Sequence, residues 1–241
     1  MRGVSKHPLP TLFMMNQIKP DLSKYLALAT DYDGTIAKDG RVKLSTRSAI
    51  SSLRNSGKKI ILVTGRRIVS LSKVFDNLKE FDLIVAENGA VIYDPNTGKS
   101  QLLAQKPPQD FIATLEAKQV TPLTVGEVVV ATWKPHDRTV TRVIQAMNLP
   151  LEIILNKKAV MVLPKKINKA SGLKIAIDRL NLAPENIVGI GDAENDLDLL
   201  NISGFGIAVA NALPILKQQA DWVTTKSRGE GVEEAISLML T

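Results

Sequence analysis

Four aspartates fall in two short segments, Asp31-Tyr32-Asp33-Gly34-Thr35 and Gly191-Asp192-Ala193-Glu194-Asn195-Asp196. Carboxylates brought this close raise one another's pKa and oppose folding, so something positive must sit among them. An all-oxygen set suits a hard cation, and Mg²⁺ in particular combines a few carboxylates with water and phosphate oxygens. Lys169 is the candidate second cation. Taken singly, each piece has an ordinary structural reading: Asp-Gly makes turns, Thr64-Gly65 starts a loop, and most lysines are solvated. Their common position gives them weight, because each carboxylate segment follows a short apolar run, and so does Thr64.

Such residues need a scaffold that gathers strand ends. From Tyr25 onward, short apolar runs alternate with amphipathic stretches, the pattern of a parallel sheet covered by helices. Strands are expected at 26–30, 60–63, 83–86 and 187–190, and they end in Asp31, Thr64, the turn at Asn88-Gly89, and Asp192. Helices are expected at 45–55, with Ser45 as N-cap, and at 68–78; Leu173, Ala176, Ile177 and Leu180 mark another by their i, i+3, i+4, i+7 spacing. In a doubly wound sheet ligands bind beyond the C-terminal strand ends, where the aspartates converge.

Between Gly89 and Lys166 the rhythm changes. A hairpin at 91–103 turns on Asn96-Thr97-Gly98, and helices are expected at 109–119 and 137–147. Strands at 127–133, 152–155 and 159–163, with a further one within 120–125, suggest a small antiparallel sheet with helices on one side. The expected organisation is an N-terminal extension at 1–24, an α/β, Rossmann-like, mostly parallel core at 25–90 and 166–241, and an inserted α+β cap at 91–165.

Composition removes several function classes. The 241-residue chain is 44% apolar and 23% charged, as folded soluble proteins are, and is long enough for one large domain or two smaller ones. It has no cysteine, which excludes disulfides, thiolate metal sites and a cysteine nucleophile. Arg2 and Lys6 precede Pro8, Pro10 and Asn16-Gln17, which interrupt any signal-like apolar run, so a cytoplasmic protein is expected. No stretch approaches the roughly 20 apolar residues of a membrane span. The net charge of +7 is spread in short pairs and aromatics are only 4%, a poor match to a nucleic-acid groove with stacking platforms.

From Leu26 to the C-terminus the chain resembles the haloacid dehalogenase superfamily of phosphatases. The family's first motif matches Asp31-Tyr32-Asp33-Gly34-Thr35-Ile36, the second Thr64 within Val63-Thr64-Gly65-Arg66, the third Lys169, and the fourth residues 191–196. Asn88-Gly89-Ala90 looks like the turn that precedes the cap, and the inserted unit resembles a compact class-two, type-B cap. That architecture is similar to archaeal-type phosphoglycolate phosphatases and sucrose-phosphate phosphatases.

The resemblance implies Asp31 as nucleophile, forming an aspartyl-phosphate, and Asp33 as general acid and then base. It implies Mg²⁺ held by Asp31, the backbone carbonyl of Asp33 and Asp192, with Asp196 supporting it directly or through its neighbours. Thr64, Gly65, Lys169 and Asn195 would bind or orient the phosphoryl group. The expected partner is a small phosphorylated metabolite, with neither nucleic acid nor membrane. The groups flanking the cap strands, Trp133, Lys134 and His136 after one strand and Asn156, Lys157 and Lys158 in the last turn, are candidates for substrate selection; Lys157 and Lys158 could meet a second anionic group, and the plainer reading of them is a solvated lysine turn. The alternatives are a phosphotransferase or phosphomutase using the same intermediate, a receiver-like signalling domain, or a non-catalytic phosphate binder.

Overall fold

The computed structural model describes residues 19–241. Most of the expected extension, with Met14 and Met15, lies outside the described residues. Its last part packs on the body of the protein: Leu22 is fully buried, and the Lys58 ammonium donates to the Ser23 carbonyl at 2.7 Å.

The chain opens with β1 (Ala27–Thr30), the small hairpin β2 (Ala37–Lys38) and β3 (Arg41–Val42), α1 (Leu44–Asn55) and β4 (Lys59–Val63). Then come α2 (Ile68–Leu71), β5 (Leu83–Ala86), β6 (Val91–Asp94) and β7 (Lys99–Leu102). The inserted part holds α3 (Gln109–Ala117), β8 (Thr124–Val125), β9 (Val130–Trp133), α4 (Asp137–Ala146), β10 (Leu151–Asn156) and β11 (Ala159–Pro164). The chain returns through α5 (Lys169–Arg179), β12 (Ile187–Gly191), α6 (Leu197–Ile202), β13 (Phe205–Ala208), α7 (Pro214–Gln219), β14 (Trp222–Val223) and α8 (Gly229–Met239).

The main sheet runs β14-β13-β12-β1-β4-β5-β6-β7, parallel through β5 and antiparallel beyond. β1 is fully buried and central, with Thr30 opposite Ile190 of β12 and Leu62 of β4. Chain order reverses on the two sides of β1, so the crevice at its C-terminal end is a topological switch point. The fold is the expected mostly parallel α/β sheet carrying an inserted α+β unit.

Three expectations change. The hairpin expected to open the cap belongs to the main sheet: β6 pairs with β5 at Val85–Ile92 and β7 continues it, so a boundary at residue 91 cuts through that sheet. The exposed edge of β5 offers unpaired backbone groups, and the nearest hairpin in the chain satisfies them. The helix expected at 68–78 stops at Leu71, because Phe75 turns inward to pack between Tyr32 and Phe81. α1 starts at Leu44 without a side-chain cap; Ser45 instead donates to Glu233 on α8 at 2.8 Å.

The inserted strands form a separate antiparallel sheet, ordered β10-β11-β9-β8. One face packs on α3 and α4 through Phe111, Leu115, Val130, Val143 and Val162, a hydrophobic cluster distinct from that of the main sheet. The other face, carrying Ala131 and Met161, overlooks the switch-point crevice.

Candidate active site

Asp31 extends β1 by one residue, its N–H donating to the Ile190 carbonyl at 3.0 Å. That places its carboxylate beside the end of β12. Gly34, at φ +90°, lets the following loop turn against Asp192, where a Cβ would lie 2.3 Å from the Asp192 carboxylate. Thr35 Oγ donates to Asp31 Oδ2 at 3.0 Å, with Asp192 Oδ1 at 3.5 Å.

Lys169 is the first residue of α5, whose start is fixed by a reciprocal cap between Asn168 and Ser171. Its ammonium, wholly shielded from solvent, donates to Asp31 Oδ1 and Asp196 Oδ1, each at 2.5 Å. Asp196 Oδ2 accepts the N–H groups of Asp192 and Ala193 at 2.9 and 3.0 Å. Both oxygens of Asp196 are therefore engaged in holding Lys169 and the turn after β12.

Burial dominates the electrostatics. It pushes the Asp31 carboxyl up to about 7, with Lys169 pulling it down and Asp196 and Asp192 adding to the rise. Burial likewise raises Asp192, against the Lys157 ammonium. Burial alone would lower Lys169, but the attraction of Asp196 and Asp31 outweighs it and holds the ammonium charged. Burial is thus the main reason that both carboxyls stand above their ordinary range, with neighbouring carboxylates adding to it. Asp31, Asp192 and Asp196 offer oxygens that all lie within 4.8 Å of one another, and this buried oxygen set fits a divalent cation.

The remaining expected residues fall in several places. The Asp33 side chain is not among the clustered carboxylates; its oxygens accept Arg66 Nε and a terminal Arg66 nitrogen at 2.6 and 2.7 Å on the crevice wall. Both residues line the crevice, but Asp31 is held by the buried Lys169 ammonium and Asp33 by the Arg66 guanidinium. The buried Thr64 hydroxyl accepts the Arg66 N–H at 3.1 Å, and Gly65 lines the crevice. Asn195 donates to Asn88 Oδ1 at 2.9 Å, leaving Asn88 Nδ2 and Asn195 Oδ1 buried without a partner. Lys157 reaches down from the β10–β11 turn to Asp192 Oδ2 at 2.7 Å, while Lys158 lines the crevice.

Two residues outside the predicted set shape this region. Arg66 clamps Asp33, and its place directly after Thr64-Gly65 is the only sequence signal for it. Glu87, at φ +50° and buried, accepts the N–H groups of Glu127, Val128 and Val129 from the turn between β8 and β9 at 2.8–2.9 Å. With Arg67 donating to the Val125 carbonyl at 3.0 Å, it ties the inserted sheet to the main one.

A buried carboxylate–lysine centre thus lies at the switch point of a parallel sheet, roofed by an inserted unit. The sequence profile of the haloacid dehalogenase-like hydrolases matches residues 28–148 and 145–236, and the chain belongs to that family. It is 31% identical to a phosphoglycolate phosphatase of Methanothermobacter thermautotrophicus, covering 87% of this chain and 96% of that protein. A phosphoglycolate phosphatase of Archaeoglobus fulgidus is also 31% identical, with 88% and 96% covered. Among solved structures, a haloacid dehalogenase-like hydrolase from B. subtilis superposes with a TM-score of 0.74 at 18% identity, covering 88% of this chain and 99% of that one. A sugar phosphatase of subclass IIB gives 0.74 at 21% identity, covering 88% and 97%. The family and fold agree with the expectations from sequence, as does hydrolysis of a phosphomonoester. Among the described residues no helix is long and apolar enough to cross a membrane.

Proposed function

We propose that the protein is a Mg²⁺-dependent phosphatase acting on a small organic phosphomonoester, in a cytoplasmic setting. The observation that carries this is the placement of Asp31 at the crevice floor, held by Lys169 and Thr35, below Asp33 on the crevice wall. An Asp31 oxygen attacks phosphorus, the bond from phosphorus to the leaving oxygen breaks, and Asp33 delivers a proton to that oxygen. Asp33 then takes a proton from water, whose oxygen attacks the aspartyl-phosphate, releasing phosphate and restoring Asp31.

Asp31, Asp192 and the Asp33 carbonyl would hold Mg²⁺, which would offset the repulsion between an anionic nucleophile and a phosphate dianion. Asp196, with both oxygens engaged, acts by fixing Lys169 and the 192–193 backbone. Lys169, Thr64 and the N–H groups around Gly65 bind the phosphoryl oxygens, and Asn195 orients its neighbours through Asn88. Arg66 occupies both oxygens of Asp33, so arrival of the phosphate must free one of them. The cap, drawn from residue 103 to 165 once β6 and β7 are assigned to the main sheet, selects the organic group.

The names of the relatives support phosphoglycolate and sugar phosphates as the substrate classes to test first. The experiment is a screen of phosphorylated metabolites with Mg²⁺ and with chelator, using Asp31→Asn as control. Metal-dependent phosphate release that Asp31→Asn abolishes is the expected result; turnover that survives either treatment refutes the assignment. Running the same screen with alcohol acceptors separates hydrolysis from phosphoryl transfer.

A further inference from the structure

The crevice is larger and more apolar than a two-carbon phosphomonoester requires. It has a volume of about 650 Å³, within the range of sites that enclose drug-sized ligands. Its floor is formed by Asp31 after β1 and Gly65 after β4; its roof is the open face of the inserted sheet. On that face Ala131 and Trp133 of β9 stand beside Met161 and Ala159 of β11, in register as neighbours. Met161 rests on the loop after β4: a Cβ added at Gly65 would lie 3.2 Å from its sulfur.

Trp133 is the unusual member of this face. The residue is 52% exposed although it lines the crevice, and its indole takes part in none of the ring pairs found among the described residues. An exposed tryptophan costs hydration free energy, and a large flat apolar surface inside a binding crevice is what a ring-shaped ligand would cover. The alanines on either side keep the approach open, since longer side chains at residues 131 and 159 would fill it.

We propose that Trp133 is a specificity-determining residue for a phosphomonoester whose organic part carries a ring, laid against the indole while the phosphate sits at Asp31. The inference rests on the phosphatase reading above and deepens it, since it separates the two substrate classes left open there. A two-carbon acid phosphate leaves the indole, Met161 and the alanines facing water; a ring covers them. The shared chemistry is a ring face, and aromatic and pyranose phosphates are its two sources.

The test compares p-nitrophenyl phosphate, glucose 6-phosphate and phosphoglycolate with Mg²⁺, in wild type, Trp133→Ala and Trp133→Phe. The expected result is that Trp133→Ala lowers the ratio of kcat/KM for at least one ring substrate over phosphoglycolate tenfold or more, mainly through KM. Trp133→Phe should retain most of that ratio. The two ring substrates identify which source is used. In Asp31→Asn the same ring compound should change tryptophan emission saturably, and Trp133→Phe should remove the response, because the one other tryptophan, Trp222, is buried in β14. Turnover with a ratio that Trp133→Ala leaves unchanged, or emission that does not respond, overturns the inference alone. Absence of any phosphomonoester turnover overturns the phosphatase reading and this inference with it.

Discussion

The Lys157 ammonium lies 2.7 Å from Asp192 Oδ2, joining the tip of the inserted sheet to the buried carboxylates on the floor. The Lys157 N–H adds a second tie, to Glu194 at 3.0 Å. A lysine expected from sequence to meet substrate, or merely solvent, instead shares an oxygen with a carboxylate of the candidate metal set. Lys157 and a divalent cation therefore compete for Asp192. Lys157→Met should tighten Mg²⁺ binding by up to about fivefold, since half-exposed ion pairs contribute roughly 0.2–1 kcal/mol. Isothermal titration of the two proteins checks this; weaker binding in the variant would contradict it.

The same carboxylates set a pH dependence. Asp31 is pushed up to about 7 by burial, above its ordinary value of 3.8, so the folded state retains a proton that the unfolded chain has released. Its contribution to stability is fully present below pH 3.8 and is lost as pH rises through about 7. In chelator, the part of the stability curve due to Asp31 should fall over that window, and Mg²⁺ should offset the fall by favouring the ionised form. Urea midpoints at several pH values, with and without Mg²⁺, measure it.

Asp196 carries more than its own charge. Removing it leaves the buried Lys169 with Asp31 as its single carboxylate partner and strips two N–H groups of their acceptor. Asp196→Ala should destabilise the fold by about 3–5 kcal/mol, the cost of breaking a buried ion pair. Asp196→Asn keeps the shape and should cost less. Equilibrium denaturation of both variants tests the order.

Glu87 is expected to control the seating of the inserted sheet. Glu87→Ala leaves three N–H groups of residues 127–129 without their acceptor, and each buried orphan costs about 1–3 kcal/mol. Hydrogen exchange at 127–129 should accelerate far more than exchange in β1 or β12. Equal acceleration everywhere would mean that Glu87 acts on global stability instead.

Much of the candidate site is legible in the chain. The apolar runs before Asp31, Thr64 and Asp192 gave strands, and the order of those strands put the three residues on one edge. Lys169 was legible by its place ahead of an amphipathic helix. Less legible is the fate of each neighbour: by sequence Asp33 joins the cluster, yet it faces Arg66, and the hairpin expected at 91–103 reads as part of the cap, yet it completes the main sheet.

By itself, then, the sequence determined which residue types end which strands, because apolar periodicity and turn chemistry act over a few neighbouring positions. The tertiary structure alone decided that Lys157 binds Asp192 and that Glu87 grips residues 127–129. These contacts depend on side-chain direction and on segments about 35 to 40 positions or more apart, which meet only when two sheets pack and buried charge and backbone groups must find partners.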